Sequence, residues 1–245
     1  MLVATVRIKR QKPSAGHEPR WDAFEVPTFD KMSVLDAVFW VQQNADPFLA
    51  FRCACRLGMC GSCGMIINGE ERLACRTLVA SLGSDISLEP MASMPVVRDL
   101  VVDMTPFFER YRKAMPYFVS ADPNPESEPA ILPRDAKERE VINAQRECIH
   151  CGLCYSSCAL VGSTTPFLGP AALNRAYVLV ADPRDGAKRE RMDMVASESG
   201  LWRCHTVFNC AVVCPKHIWP TVAIERLKRK AIVHRLKRLV PFGTR

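Results

Sequence analysis

The sequence predicts an α+β fold, with a small sheet in the first third of the chain and helices in most of the remainder. Residues 1–10 alternate between apolar and polar side chains, which is the pattern of a half-buried strand. Beyond residue 134 the apolar side chains recur at helical spacing instead. Twelve cysteines occur in 245 residues, and all of them fall into three groups. These observations predict two domains that differ in secondary structure and carry cysteine-based sites.

The predicted domains are residues 1–115 and 134–245, and a proline-rich connector joins them. Residues 116–133 contain five prolines among Asp, Glu, Asn and Ser, which is typical of an extended connector. No run of 18 uninterrupted apolar residues occurs, so no transmembrane helix is predicted. Because Met1 leads directly into a strand, no signal peptide is predicted either.

The N-terminal domain is predicted to begin with a hairpin and a short helix. The partner of the first strand is predicted at residues 21–26. Ser33 is placed to cap a helix, since Asp36 follows three residues later and apolar residues continue at helical spacing. This helix is predicted to end before Pro47. Two strands followed by a helix resemble the β-grasp ferredoxin fold.

Further elements follow from local signals. Residues 65–67 are predicted to form a strand that turns at Asn68-Gly69, the strongest short hairpin signal. The remaining predicted helices are residues 98–115 with an interruption at Pro106, a helix capped by Asp135 and Glu138 that leads into Cys148, residues 171–180 after Gly169-Pro170, residues 187–199, and a basic helix that begins at Pro220.

The first cysteine group has the spacing of a plant-type [2Fe–2S] site. Its predicted ligands, in the pattern C-x4-C-x2-C-x11-C, are Cys55, Cys60, Cys63 and Cys75. Glycines between them suit a loop that must fold closely over a cluster, because glycine adopts positive φ angles at no steric cost. Cys53 is predicted not to be a ligand, since its use in place of Cys55 would break the four-residue spacing.

The other two groups predict a pair of clusters that exchange ligands. The first run, C-x2-C-x2-C-x3-C, supplies three ligands to one cluster and its fourth cysteine to the other. The second run has Val207 where a complete run would have a cysteine, so one corner of its cluster lacks a ligand. The predicted ligands are Cys148, Cys151, Cys154 and Cys214 for a [4Fe–4S] cluster, and Cys158, Cys204 and Cys210 for a [3Fe–4S] cluster.

Two other interpretations of the cysteines fit less well. Disulfide frameworks are typical of small secreted domains, and nothing in the sequence indicates export. Structural zinc sites usually combine paired C-x2-C knuckles, which these spacings do not match. A zinc-stabilised binding module is therefore the more distant alternative, and a free-standing multi-cluster electron carrier is the nearer one.

The positive charge of the chain is confined to its C-terminal tail. The formal net charge is +7, and residues 225–245 contain eight Lys or Arg against one Glu. A basic helix favours an anionic membrane surface, so the tail is predicted to lie at the membrane side of an assembly. The side chains interleaved with the basic residues are Ile224, Leu227, Ala231, His234 and Leu236.

Taken together, the motifs resemble the iron–sulfur subunit of succinate dehydrogenase and fumarate reductase, respiratory complex II. The matching motifs are Cys55-Arg-x-Gly-x-Cys-Gly-Ser-Cys, Gly169-Pro170-Ala171-Ala172, Asp182-Pro-Arg-Asp185, Arg203-Cys204-His205 and Cys210-x3-Cys214-Pro215-Lys216. The resemblance implies that electrons pass from FAD in a partner flavoprotein through the three clusters to a quinone, or in reverse in a fumarate reductase. Because the chain has no motif for a general base, nucleophile or hydride-transfer cofactor, succinate chemistry is expected on the partner.

The resemblance also implies partners and a quinone site. One or more membrane-anchor subunits, with or without haem, would hold the chain on the cytoplasmic face of a bacterial inner membrane; no nucleic acid is expected. His205 is a candidate hydrogen-bonding group at the quinone, and the alternative is a packing role. Ala159 replaces a proline of many family members, and Gly162-Ser163 stands where ubiquinone-reducing members have tandem Trp. Menaquinone is therefore favoured over ubiquinone.

Overall fold

The computed structural model describes residues 2–124, 126–163 and 165–239. Packing divides the chain into two compact units. The first comprises Met1–Phe107 and Ile149–Ser157, and the second comprises Phe108–Cys148 and Cys158–Arg245. Within the described part of the chain, no helix is both long and apolar enough to cross a bilayer.

Five strands form one mixed sheet in the first unit, in the order β2-β1-β5-β3-β4. They are β1 (Val3–Lys12), β2 (His17–Pro27), β3 (Gly64–Ile67), β4 (Glu70–Leu73) and β5 (Asp85–Glu89). β1 pairs antiparallel with β2 and parallel with β5. The inward side chains Val6 and Ile8 of β1 are buried with Ile86 and Leu88 of β5. The predicted N-terminal hairpin is confirmed, whereas β5 was absent from the prediction although Ile86 and Leu88 show the same alternation.

Two local predictions in this unit are confirmed by their hydrogen bonds and dihedral angles. Helix α1 (Val34–Asn44) begins with a capping box, in which the Asp36 amide donates to Ser33 Oγ and the Ser33 amide donates to Asp36 Oδ2. The turn between β3 and β4 has positive φ at Asn68 (49°) and Gly69 (83°), as a type I′ hairpin requires.

The predicted helix over residues 98–115 is wrong in its first half. Two short strands, β6 (Val96–Arg98) and β7 (Val101–Val102), pair there, and helix α2 spans only Thr105–Lys113. The Asp99 amide donates to the carbonyl of Gln11, far away in the sequence, so it is not available to a local helix. Pro106 lies in the first turn of α2, where its missing N–H costs nothing.

The second unit is built from helices. The short helix α4 (Leu153–Ser156) is not one of them, because it belongs to the first unit. The helices of the second unit are α3 (Lys137–Arg146), α5 (Pro170–Ala181), α6 (Lys188–Val195), α7 (Asn209–Val212) and α8 (Pro220–Leu239). Short 3₁₀ helices occur at Pro13–Ala15, Ala74–Arg76, Val79–Ser81 and Leu201–Arg203. α5 is buried along most of its length and packs against α8.

The predicted helix start at Pro220 is confirmed, and α5 begins at Pro170, one residue before its predicted start. Both prolines occupy the first helical position. The predicted cap at Asp135 is wrong, because Ala136 is the N-cap of α3 and no side chain caps this helix. The predicted helix over residues 187–199 is confirmed only as far as Val195, where the chain turns.

One face of α8 is buried, and it includes three of the apolar residues that are interleaved with the basic ones. Ile224, Leu227 and Ala231 are fully buried, and His234 Nε2 lies 2.8 Å from Asp193 Oδ1. Of the interleaved side chains, only Leu236 is exposed. The exposed surface of α8 includes Ile232, Val233 and Leu236, and its docking at a membrane stays a prediction. The tail beyond Leu239 lies outside the described residues.

Candidate metal centres

Four cysteines of the first unit lie together on the loop between α1 and β3 and on the 3₁₀ helix that follows β4. Cys63 interacts with both Cys60 and Cys75, and Cys60 interacts with Cys55. The Cys63 carbonyl accepts a hydrogen bond from the Ala74 amide, which holds Cys75 beside the loop. The structure therefore brings together the four cysteines that the spacing predicted.

Backbone amides of the loop point at the sulfur of Cys55. The amides of Leu57, Met59 and Cys60 lie 3.4, 3.3 and 3.3 Å from its Sγ. This inward arrangement requires positive φ angles, which Gly58 (70°) and Gly61 (74°) supply. Amides that donate to thiolate sulfur stabilise its negative charge and tune the reduction potential of a bound cluster.

The thiols of this loop have strongly different acidities. The hydroxyl of Ser62, 2.8 Å from Cys60 Sγ, together with backbone amides lowers the pKa of Cys60 to about 6. Burial, together with the neighbouring Cys75 and Cys60, raises the pKa of Cys63 to about 12. Cys60 is exposed and readily ionised, whereas Cys63 is buried and resists ionisation. Iron in a bound cluster would compensate the negative charge of the buried thiolate.

The donor set of this loop fits a [2Fe–2S] cluster. It offers four thiols, inward amides and a backbone that folds closely over the site. Across the described ranges, no three His, Cys, Asp or Glu side chains are arranged for a single metal ion. Cys53 lies half-buried on the same loop, and its exclusion from the ligand set stays a prediction.

The segment Ile149–Ser157 contains Cys151 and Cys154 and belongs to the first unit. Positive φ angles at His150 (54°) and Gly152 (80°) turn the backbone on both sides of Cys151. Cys154 lies in the short helix α4. Cys148 and Cys214, the other two predicted [4Fe–4S] ligands, belong to the second unit. The four-cysteine set for this cluster stays a prediction from the sequence.

Three cysteines of the second unit line one cavity of about 70 Å³, and they are the predicted [3Fe–4S] ligands Cys158, Cys204 and Cys210. Burial raises the pKa of Cys158 and Cys210, and the neighbouring thiols raise both further. Backbone amides donate to Cys158, and Thr221 Oγ1 lies 3.3 Å from Cys210 Sγ. Three convergent thiols with hydrogen-bonded sulfurs fit a cluster with three protein ligands.

The residue that the spacing predicts at the position of a missing ligand, Val207, also lines this cavity. Val207 lies on the loop between Cys204 and Cys210, contributes to the cavity wall and is 62% exposed. It has no atom that can bind iron. His205 also lines the cavity and is exposed, and its role as a hydrogen-bonding group at a quinone stays a prediction.

Two charged residues of α8, Glu225 and Lys228, hold the loop between Cys204 and Cys210, and we call this pair the Lys228 clamp. Nothing in the cysteine spacing indicated it. Lys228 Nζ donates to the Cys204 carbonyl at 2.9 Å and to Glu225 Oε1 at 3.1 Å. The same Glu225 oxygen accepts a hydrogen bond from Thr206 Oγ1 at 2.9 Å. Thr206 and Phe208 have φ angles of 60° and 68°, which are costly without glycine, so the loop needs such support. The hydrogen bonds of Lys228 to Cys204 and of Thr206 to Glu225 join residues 24 and 19 positions apart, beyond the reach of a local sequence pattern.

Comparisons with known proteins agree with this geometry. Residues 5–109 match the 2Fe-2S iron-sulfur cluster binding domain, and residues 144–218 match the 4Fe-4S dicluster domain. The chain is 36% identical to the fumarate reductase iron-sulfur subunit of Haemophilus influenzae, with 92% of each chain covered. It is 37% identical to that of Mycobacterium tuberculosis, with 97% of each chain covered.

A succinate dehydrogenase relative is equally similar. The iron-sulfur subunit of succinate dehydrogenase from Paracoccus denitrificans is 36% identical, over 94% of this chain and 88% of that protein. The chain belongs to the iron–sulfur subunits of succinate dehydrogenases and fumarate reductases. Among solved structures, this iron–sulfur subunit matches a chain of the Mycobacterium smegmatis Sdh1 complex in the apo form, with a TM-score of 0.86, 28% identity, and 97% and 99% of the two chains covered.

The family fixes the class of activity and the fold. This iron–sulfur subunit is an electron-transfer component of an oxidoreductase of the complex II type. The predicted α+β fold class, with an N-terminal [2Fe–2S] domain followed by a dicluster domain, is confirmed. The subunit as described contains the cysteines for redox centres and contributes electron transfer to the complex.

Proposed function

We propose that this subunit carries electrons between FAD in a partner flavoprotein and a membrane quinone, through [2Fe–2S], [4Fe–4S] and [3Fe–4S] clusters. The direction proposed is succinate oxidation with quinone reduction, and quinol:fumarate reduction is the alternative. Bound clusters would supply one-electron redox chemistry. The chain's own residues hold the clusters through cysteine sulfur, donate hydrogen bonds to that sulfur and exclude water from it.

The observation that carries this proposal is the cavity with three cysteines and a valine. Cys158, Cys204 and Cys210 line it together with Val207, which takes the place of a cysteine in the second run. A cluster with three protein ligands differs in type and charge from a [4Fe–4S] cluster, and both properties set the reduction potential. We assign the [4Fe–4S] cluster to Cys148, Cys151, Cys154 and Cys214, on the spacing of the two cysteine runs.

The surface near the three-cysteine cavity suits an apolar partner. Val207 and Phe208 line the cavity and are exposed, and Val212 and Trp219 nearby in sequence are 82% and 54% exposed. Exposed apolar residues in such numbers are typical of an interaction site. We propose that this surface meets one or more membrane-anchor subunits, with or without haem, on the cytoplasmic face of a bacterial inner membrane.

We propose menaquinone as the quinone and His205 as a hydrogen-bonding group for it. In place of a tandem Trp, Ser163 donates at 2.7 Å to the carbonyl of Leu160, which lines this cavity. Arg203 Nη2 lies 3.4 Å from Ser163 Oγ. Gly162 and Ser163 provide no indole at these two positions, which supports a quinone other than ubiquinone.

Purification of the subunit from its native membranes tests this proposal. A flavoprotein and an anchor subunit should copurify, and succinate should reduce the EPR-active centres and then a menaquinone analogue faster than a ubiquinone analogue. A soluble brown protein without a flavoprotein would support the free-standing carrier instead. A colourless preparation that contains zinc and no iron would support the binding module.

A further inference from the structure

We propose that Gly61 is a positioning residue for electron transfer, because it sets the contact between the first cysteine loop and Cys151. The inference rests on the proposed function, in which the first loop holds the [2Fe–2S] cluster and Cys151 is a ligand of the [4Fe–4S] cluster. Both residues belong to the first unit.

Gly61 touches Cys151 so closely that not one further carbon atom fits. A Cβ added to Gly61 would lie 2.6 Å from Cys151 Cβ and 2.7 Å from Cys151 Cα. Real Cβ atoms essentially never approach other heavy atoms within 3.0 Å, and ordinary contacts begin at 3.4 Å. Any side chain at position 61 would therefore have to separate the two loops by nearly 1 Å.

The segment that contains Cys151 cannot retreat easily, because it is fixed on other sides as well. Ser156 Oγ accepts a hydrogen bond from the Ala92 amide at 2.8 Å and lies 3.0 Å from Glu71 Oε1. The fully buried Leu153 packs against Gly64. A protein interior of this density transmits a local expansion rather than absorbing it.

Methionine side chains pack against the same segment at Gly152. A Cβ added to Gly152 would lie 3.0 Å from the methyl groups of both Met94 and Met104. Met94 is itself buried. Gly152 follows Cys151 directly, so the backbone beside this ligand is held tightly.

The contact is placed where an electron must cross from one site to the other. Gly61 follows Cys60 directly and lies two residues before Cys63. Both cysteines are predicted ligands of the first site, so only one non-bonded contact separates the ligand loops. The step moves one electron, which oxidises the first centre and reduces the second, and no covalent bond or proton is transferred. Succinate supplies the electron through the flavoprotein. Because electron tunnelling weakens steeply with distance, the separation that this contact sets controls the rate of electron transfer between the two centres.

The test compares Gly61→Ala with Gly69→Ala in the complete complex. Gly69 has a similar φ of 83° and nothing within 4 Å of an added Cβ, so it controls for backbone strain alone. Both variants should contain wild-type iron and sulfide. In Gly61→Ala, electron transfer between the centres after flash photoreduction should be several-fold slower. Magnetic broadening of the reduced [2Fe–2S] EPR signal should be partly lost, with unchanged midpoint potentials, whereas Gly69→Ala should match wild type.

Unchanged magnetic broadening and rate in a fully loaded Gly61→Ala protein would overturn the positioning role. A slower rate with a matching shift of midpoint potential would overturn it as well. If Gly61→Ala does not assemble, Gly64→Ala is the second variant. Its added Cβ would lie 3.1 Å from Leu153 and would press on the same segment. Magnetic broadening of the [2Fe–2S] signal equal to that of wild type in Gly64→Ala would contradict the inference. Absence of the cluster signals from the wild-type protein would instead overturn the proposed function.

Discussion

Arg191 and Asp185 form an ion pair in which both side chains are completely buried, with Arg191 Nη1 2.6 Å from Asp185 Oδ1. Arg191 also donates to the carbonyls of Met115 and Tyr117 at 3.0 and 2.9 Å. The other carboxylate oxygen of Asp185 accepts a hydrogen bond from the Val119 amide. The pair therefore fixes the start of the proline-rich connector to the helical unit.

Loss of this arginine should destabilise the second unit strongly. Arg191→Met leaves a buried carboxylate without its counter-charge, which typically costs about 3–5 kcal/mol. Urea unfolding should report this loss. Arg189→Met, an exposed substitution on the same helix, should change stability by less than about 0.5 kcal/mol. Equal stabilities of the two variants would contradict the importance of the pair.

The sequence could predict those parts of the fold that depend on neighbouring residues. The Ser33–Asp36 capping box and the Asn68-Gly69 turn are local, and both are confirmed. The helix predicted across Asp99 failed because its amide and carboxylate are used by residues distant in the chain. Asp99 Oδ1 accepts a hydrogen bond from Arg10 Nε at 3.0 Å, across 89 positions. No local pattern encodes such a contact.

The same limit applies to the metal centres. The cysteine spacing predicted which sulfurs meet in two of the sites, because such runs follow a recurring pattern that includes the exchange of the fourth ligand. The Lys228 clamp on the Cys204 loop and the Gly61–Cys151 contact depend on how distant segments pack. Gly61 could be noted as a loop glycine, but the reason for it is a residue 90 positions later.

Cys53 should be dispensable for the [2Fe–2S] centre. Cys53→Ser should retain the full reduced [2Fe–2S] EPR signal, because the four interacting thiols do not include it. Cys60→Ser should perturb or abolish that signal, since it replaces a ligand thiolate. Loss of the signal from the Cys53 variant would require a new ligand assignment.

The hydroxyl of Ser62 should raise the potential of the same centre. A hydrogen bond to a thiolate stabilises the more negative, reduced state, so Ser62→Ala should lower the midpoint potential. One hydrogen bond of about 1 kcal/mol corresponds to a shift of up to about 40 mV for one electron. EPR-monitored redox titration measures this shift. Ser62→Thr keeps a hydroxyl and should stay near wild type; equal potentials in all three proteins would exclude the effect.

The outer face of α8 is expected to contribute to membrane attachment. Arg229 and Lys230 are exposed beside Ile232, Val233 and Leu236. Each basic residue near an anionic surface contributes about 1 kcal/mol, and salt screens the attraction. Truncation at Glu225 would remove buried packing residues, so charge reversal is the cleaner change.

The double variant Arg229→Glu/Lys230→Glu should release the complex from membranes at lower salt than wild type. Arg134→Glu/Lys137→Glu makes the same change of charge at two exposed residues outside α8. This control should leave the salt dependence unchanged. Sedimentation of membranes over a salt series measures retention. Identical release of the two double variants would show that only net charge matters.

The three-cluster assignment is tested most directly by EPR of the oxidised Val207→Cys protein. The new thiol should let a fourth iron bind, so the oxidised [3Fe–4S] signal should vanish and the potential of this centre should fall. Quinone reduction should slow, since each 30 mV costs about 0.7 kcal/mol for one electron, while artificial acceptors reduced at the flavin should keep their rates. Val212→Cys, on an exposed valine outside the cavity lining, should leave the signal intact. An unaltered [3Fe–4S] signal in a Val207→Cys protein whose new thiol is shown to be present and free would contradict the placement of Val207 at the vacant corner.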